Sequence, residues 1–597
     1  MARKDLIVGI AGAGGDGVVS AGELVLNIAA LQGLFGMLTK SFGPQIRGGE
    51  SSVRLRLSVE PVLAQGDELD VLIAFNWADY GRFRTELVPN EQTIIFVDEQ
   101  DKTPDAEIPL APALKAGVHR VSFEQIAVEK AGTALAKNIV AVGVLAAALA
   151  LPPEGFAHAI ARRFQKKGQQ VVDANVAAFD AGAAIGSQYR REGVNLTPTP
   201  SEPLMVIAGN DATGFGALVA GCRFIASYPI TPQSEVMEYL NRELPKFGGT
   251  MIQGEDELAS IAMAIGASYA GVKSMTASSG PGISLKQEAI GLASIAEIPL
   301  VVLNVQRVGP STGIPTKTEQ GDLLQGIFGT HGDASKVVVG TTDVEDCFWI
   351  TAEAFNIAEE YQLPVLILSD QFIGHRTDIV RPFDLSKVRV AERQKPTEAE
   401  LAAVDHRHGF ERFAYTADGV SPMSVPGMPG GSYLNSGLEH DVVGAPASGV
   451  VGHQKMTEKR WKKLDTVTAR YGHLTVVAGD PDAELGIMAW GASKGAVLEA
   501  VEVLCAGGVK AKAVVPRLLW PLPLETIEPE LERLTAIHVV ELSYSGQLFT
   551  YLKSQLRADL AGRLVRHARA GGAPLGVSEV LAWVKAPVAP VARVAAD

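Results

Sequence analysis

Cysteine is nearly missing from this chain: 597 residues include three, Cys222, Cys347 and Cys505, far apart and in apolar surroundings. No Cys-x-x-Cys or ferredoxin-like spacing occurs. That excludes an iron–sulfur cluster held by this chain unaided and reads the thiols as small buried hydrophobes. Long apolar runs are absent as well. Nothing approaches the length of a membrane span, and Met1-Ala-Arg-Lys-Asp leads straight into an apolar stretch with no signal-peptide pattern, so the expected location is cytoplasmic. Positive charge is in short supply: 53 Lys and Arg stand against 67 Asp and Glu, a net −14. That balance argues against nucleic acid or an anionic membrane as partner.

What is present points to stacked α/β layers. Apolar residues make up 47% of the chain and charged ones 20%, and Gly and Ala are abundant, as close packing of helices on sheets requires. A chain this long exceeds one core and implies several domains. The stretch from Ser227 to Glu235, Ser-Tyr-Pro-Ile-Thr-Pro-Gln-Ser-Glu, follows a strand-like run and precedes an amphipathic one. Two prolines flanking Ile230-Thr231 stiffen the loop and present Thr231 at the carboxyl end of a strand, where α/β sheets bind ligands. Pro232 suits the first turn of the following helix. A Pro-x-x-Pro turn by itself is often only a turn.

This one has company. Tyr228-Pro-Ile-Thr-Pro232 closely resembles the signature of the α subunits of 2-oxoacid:ferredoxin oxidoreductases. In the same order follow Gly254-Glu-Asp-Glu-Leu-Ala259, Thr276-Ala-Ser-Ser-Gly-Pro-Gly282, Val305-Gln-Arg307 and Pro310-Ser-Thr-Gly-Ile-Pro-Thr-Lys-Thr-Glu-Gln-Gly-Asp322. These resemble the family's glutamate segment, its Gly-rich turn, its substrate arginine and the loop behind it.

The resemblance implies an α/β protein of three domains on doubly wound parallel sheets. Residues 1–195 are similar to the family's γ domain, the coenzyme A side. Residues 196–203 form a Pro-rich linker, 204–384 resemble a pyrimidine-binding thiamine diphosphate domain, 385–483 an extended connection, and 484–597 the transketolase C-terminal domain. In the connection, the charged run Lys455–Lys463 reads as solvated. In the first domain, Ser52–Ser58 alternates like a half-buried edge strand. Gly12-Ala-Gly-Gly-Asp-Gly17 fits either a phosphate-facing turn or a plain tight turn. Gly-Asp-Gly at Asp16 imitates the thiamine diphosphate metal motif, but Asn27 follows too soon, and a metal site is rejected. Gly43, Arg47, Gly48 and Gly49 place a guanidinium beside exposed backbone donors, chemistry suited to the phosphates of coenzyme A. Arg47 as a solvated surface arginine is the plainer reading.

The chemistry implied is oxidative decarboxylation, which needs a carbanion stabiliser that side chains do not supply and thiamine diphosphate does. Glu257, opening an apolar helical run, is expected to share a proton with the cofactor's aminopyrimidine. As a plain first-turn acid it would merely meet the helix dipole, as Glu255 and Asp256 do. Arg307 and Thr231 are expected on the substrate carboxylate, and Lys317 on a distal carboxylate. Pro229, Ile230, Ser279, Gly280 and Asp322 are expected at the cofactor, with Asp322 orienting Arg307 or capping a helix. No acceptable diphosphate–metal motif exists, so the resemblance implies a β subunit with Mg²⁺ and a [4Fe–4S] cluster, an α2β2 assembly, and ferredoxin as acceptor. The expected reaction is CoA-dependent conversion of 2-oxoglutarate to succinyl-CoA and CO₂, in either direction, with pyruvate or branched 2-oxoacids as alternative substrates. Two rivals stand beside it: a transketolase or 2-oxoacid dehydrogenase component, and a non-enzymatic CoA- or nucleotide-binding regulatory protein.

Overall fold

The apolar stretches read as strands are strands in the computed structural model, gathered into sheets of eight, seven and five. The structure describes residues 3–43, 49–151, 153–190, 193–194, 196–197, 203–405 and 407–586. It divides into one unit of Met1–Ala208 with His375–Phe383, and another of Gly209–Gly374 with Asp384–Asp597.

In the first unit, Asp5–Gly12 runs parallel to Val71–Ala74 and antiparallel to Ser51–Ser58, so this sheet is mixed rather than wholly parallel. Ser51–Ser58 is no edge. It lies between Asp5–Gly12 and Phe35–Phe42, with nearly every residue buried. Its alternating arginines misled the sequence reading because their partners are backbone and carboxylate rather than water. Buried Arg54 donates to the carbonyls of Gln65, Glu86 and Gly66 at 3.1, 3.0 and 2.7 Å, and Arg56 donates to Asp5 at 2.9 Å. The helices Lys137–Ala148 and Gln169–Gly186 cross almost backbone to backbone. A Cβ on Gly143 would stand 2.1 Å from the Phe179 carbonyl, and one on Gly182 the same distance from Val140's. The Gly12–Gly17 turn is filled by its own side chain: Asp16 accepts from the Ala13 amide at 2.9 Å and pairs with Lys137 at 2.7 Å. A carboxylate in that place repels phosphate and favours the tight-turn reading.

The expected boundaries at 204 and 384 are displaced. Met205–Ala208 and Thr377–Val380 pair antiparallel with each other, and the latter pairs with Phe35–Phe42, so both belong to the eight-stranded sheet. Ile379 is buried in the first unit's core and Val206 packs against it. Leu204–Ala208 reads in sequence as the first strand of the next unit; which sheet it joins is decided by a partner about 170 residues away.

In the second unit, Val337–Gly340, Pro364–Asp370, Leu300–Gln306, Ser274–Ser278, Phe224–Ser227 and Thr250–Gln253 lie side by side and parallel. Leu518–Trp520 adds an antiparallel strand at one edge. The five-stranded sheet starts at Thr475–Gly479, before the expected boundary at 484.

Residues 385–449 carry few regular elements, and then Val450–Tyr471 forms one helix. Its charged run is solvated only in part, with Lys455, Glu458 and Lys462 exposed. Lys459 and Lys463 are buried and reach Glu297 at 2.7 and 2.6 Å, while Arg412 donates to the Glu297 carbonyl at 2.7 Å. Burial opposes ionisation of Glu297, but Lys463, Lys459 and Arg412 outweigh it and hold the carboxyl well below the usual range. Among the described residues no single helix is long and apolar enough to cross a membrane.

Candidate active site

The loop after Phe224–Ser227 is held from beneath. Buried Gln233 donates to the Tyr228 carbonyl at 3.0 Å, and Asn210 donates to the Pro232 carbonyl at 2.7 Å. The helix begins at Ser234, so Pro232 stands in the turn before it rather than in its first turn. Pro229 and Thr231 are left exposed and Ile230 half-buried at the carboxyl edge of the sheet. Arg307, at the end of the neighbouring Leu300–Gln306 strand, is buried and donates to the Thr231 carbonyl at 2.6 Å. Its Nε has no protein partner. Burial lowers its pKa, yet a guanidinium stays charged at any working pH.

Glu257 opens the Glu257–Tyr269 helix, whose N-cap, Asp256, accepts from the Ala259 amide at 2.7 Å. Asp256 therefore satisfies the helix terminus and leaves Glu257 free of that task. Only 8% of Glu257 is exposed. Its carboxylate lies against the turn into the Gly280–Ile295 helix: a Cβ on Gly282 would stand 2.8 Å from Glu257 Oε1 and 2.0 Å from Ser278 Oγ. The hydroxyls of Ser278 and Ser279 are buried without partners among the described residues. Buried acceptors and donors left open in this way weaken a fold unless a ligand completes them.

Asp322 does not bond Arg307. Its carboxylate accepts from Asn304 at 2.9 Å, and it precedes the Leu323–Phe328 helix without a side-chain cap bond. Burial raises its pKa, Asn304 opposes that and Glu319 adds to it. Asp322 stands beside Gly280, whose Cβ would lie 3.2 Å away. Gly280, Arg307 and Asp322 line a cleft of about 730 Å³ with Ser543, Ser545 and Gln547, from the segment that follows the strand Ala536–Glu541. Lys317 is half-buried and is not among the lining residues. Its carbonyl accepts from the Val308 amide at 3.0 Å, which folds the loop back onto the arginine strand.

Three supporting residues escaped the sequence reading. Glu319 accepts from the Gly309 amide at 3.0 Å and from Gly571 at 2.9 Å, tying the loop after Arg307 to the segment after Leu564–Ala568. Gln233 stood unremarked inside the Ser227–Glu235 stretch. Lys286 is buried on the Gly280–Ile295 helix with Gly282, Ile283 and Ile290. A lysine at an apolar helical position was the available signal. Of the coenzyme A candidates, Gly43 and Gly49 are half-buried, and the Gly43 amide donates to the Glu50 carbonyl at 3.0 Å. Arg47 and Gly48 lie outside the described residues. Among the described residues no group of three or more His, Cys, Asp or Glu is placed to hold a metal.

Comparison with known proteins covers almost the whole chain. Residues 215–458 match the family described as pyruvate flavodoxin/ferredoxin oxidoreductase, thiamine diP-binding. Residues 7–185 match pyruvate ferredoxin/flavodoxin oxidoreductase, and 483–580 pyruvate:ferredoxin oxidoreductase core domain II. The 2-oxoacid:ferredoxin oxidoreductase 2 subunit alpha of Aeropyrum pernix is 30% identical over 97% of each chain. The 2-oxoglutarate oxidoreductase subunit KorA of Mycobacterium tuberculosis is 31% identical over 95% of this chain and 92% of its own, so the N-terminal unit is shared as well. A solved 2-oxoglutarate:ferredoxin oxidoreductase from Magnetococcus marinus, with 2-oxoglutarate, coenzyme A and succinyl-CoA bound, is 35% identical. It superposes with a TM-score of 0.89 over 98% of this chain and 99% of that one.

Proposed function

Because the chain belongs to the α-type subunits of the 2-oxoacid:ferredoxin oxidoreductases, we propose that it catalyses the CoA-dependent conversion of 2-oxoglutarate to succinyl-CoA and CO₂, passing an electron pair to ferredoxin. The reading rests on one observation above the others. Glu257 is a nearly buried carboxylate packed against the Gly282 turn, beside the buried Ser278 hydroxyl, which has no partner among the described residues. An aminopyrimidine, with a ring nitrogen that accepts and an amino group that donates, suits a carboxylate and an open hydroxyl set side by side.

Thiamine diphosphate, when bound, supplies the electron sink for decarboxylation. The chain's own residues do the rest. Glu257 would hold a proton at a ring nitrogen of the pyrimidine. Pro229, Ile230, Ser279, Gly280 and Asp322 bound the ring and exclude water. Arg307 takes the substrate's 1-carboxylate through the guanidinium edge that Thr231 leaves open, and the Thr231 hydroxyl donates to the same group. Lys317 is assigned the distal carboxylate, and Gly43, Arg47, Gly48 and Gly49 the coenzyme A side. A β subunit bearing the diphosphate, Mg²⁺ and a [4Fe–4S] cluster completes the site in an α2β2 assembly in the cytoplasm.

The test is anaerobic isolation of the chain with its partner from the native host, followed by CoA-dependent reduction of ferredoxin or viologen with several 2-oxoacids. Glu257→Gln leaves an amide that cannot cycle a proton at the ring and lowers kcat at least about 100-fold. An equally active Gln variant, or absence of any 2-oxoacid-dependent reduction, sinks the proposal. A preference for pyruvate would correct the substrate alone.

A further inference from the structure

Lys286 is a buried charge with no task in the reaction as described. It is 0% exposed, and its Nζ donates to the backbone carbonyl of Glu257 at 2.9 Å and to Thr276 Oγ1 at 3.1 Å. No carboxylate is hydrogen-bonded to it among the described residues. The charges that act on it are those of Glu257 and Asp256, at the start of the facing helix. The strand Ser274–Ser278 beneath offers hydroxyls, and Glu288 on its own helix is exposed.

A lysine in this setting costs stability. Burial pushes its pKa down to about 8, against the pull of Glu257 and Asp256. An apolar chain of the same length would avoid the loss of hydration. Packing therefore gives no reason for an ammonium here, whereas the group it touches does. The bonded carbonyl belongs to the residue whose carboxylate faces Ser278 and Gly282.

We propose that Lys286 is a positioning residue for Glu257: its ammonium pins the Glu257 carbonyl to the strand Ser274–Ser278 and thereby aims the carboxylate. The proposal rests on the thiamine reading above, and its test is arranged so that the two fail separately.

Lys286→Met, Lys286→Gln and Glu257→Gln are compared in the assembled complex by three measurements. These are the dissociation constant for thiamine diphosphate added to cofactor-depleted complex, kcat and KM for 2-oxoglutarate with viologen, and the melting midpoint without cofactor. Losing the ammonium that fixes the Glu257 carbonyl misaims the carboxylate, so kcat falls about tenfold in the Met variant while KM for 2-oxoglutarate holds, and the Gln variant recovers part of the loss. Cofactor affinity falls about tenfold in the Met variant and less in the Gln variant, which keeps a donor for the carbonyl. The melting midpoint holds or rises. An unchanged kcat with unchanged cofactor affinity overturns the proposal, as does a lowered midpoint with intact kinetics, which makes the lysine a core residue only. If the Met variant does not fold, the Gln variant decides by the same criteria. If Glu257→Gln itself keeps full cofactor affinity and activity, the thiamine reading falls and not merely this extension of it.

Discussion

Removing the Glu319 carboxylate should damage substrate binding from a distance. In Glu319→Ala the amides of Gly309 and Gly571 lose acceptors at 3.0 and 2.9 Å. Gly309 is two residues beyond Arg307, and the loop between is otherwise closed by Val308 N to Lys317 O at 3.0 Å and Ile314 N to Val308 O at 3.0 Å. Gly313 makes the return possible with φ 51°, and a Cβ there would meet the Val308 carbonyl at 1.6 Å. An amide–carboxylate bond contributes about 1.5–3 kcal/mol when dry and nearer 1 kcal/mol when half-exposed, as Glu319 is. Two such bonds make roughly 2–3 kcal/mol of loop order. If half of that must be restored whenever the substrate carboxylate docks on Arg307, KM rises about tenfold. Glu257 itself is not among the residues that line the cleft the loop borders, so kcat stays within about threefold and thiamine diphosphate affinity changes less than KM. Glu319→Gln retains one acceptor, and its KM should rise about threefold. Steady-state kinetics with 2-oxoglutarate in the assembled enzyme measure this. An unchanged KM in the Ala variant refutes the clamp; an equal loss of cofactor affinity shows that the damage spreads beyond the loop.

Glu297→Gln leaves Lys459, Lys463 and Arg412 in the interior without their anion, and the structure should weaken by about 3–5 kcal/mol, as broken buried pairs do. Thermal melting reads the loss, and a midpoint equal to that of the parent would show that the lysines find other partners. Glu541 supplies a pH dependence. It is fully buried and accepts from the amides of Leu548 and Phe549, yet burial raises its carboxyl from the ordinary 4.5 to about 7. The folded chain keeps this proton after the unfolded chain has released it, so the stabilisation is full below pH about 4.5. It is lost as pH rises through about 7, by roughly 3 kcal/mol. Glu541→Gln should flatten that decline in urea unfolding between pH 5 and 8; parallel curves for the two proteins would refute the assignment.

Part of the candidate site was legible in the sequence. Glycines, prolines and single charged residues at the ends of apolar strands carry their geometry with them, because φ restrictions and strand ends act over a few residues. That places Thr231 and Arg307 at the ligand edge, while the family resemblance singled out Glu257, Ser279 and Gly280; the structure brings Thr231 to Arg307 and Glu257 to the Gly282 turn.

The misreadings share one cause. Arg54, Lys459, Lys463 and Lys286 are charged, and a single sequence assigns charge to water. Each is buried on an acceptor between about 10 and 170 residues away. The strand Met205–Ala208 was assigned to the wrong sheet for a related reason, since its hydrogen-bond partner comes only at Thr377–Val380. The order of α/β elements therefore follows from the sequence itself, through short-range backbone preferences and apolar periodicity, and the candidate site residues follow from motifs that resemble a known family. Which charges are dry, which strand closes which sheet and what holds Glu257 and Arg307 in aim were decided by tertiary structure alone. Desolvation and long-range pairing depend on neighbours that a local stretch of sequence does not contain.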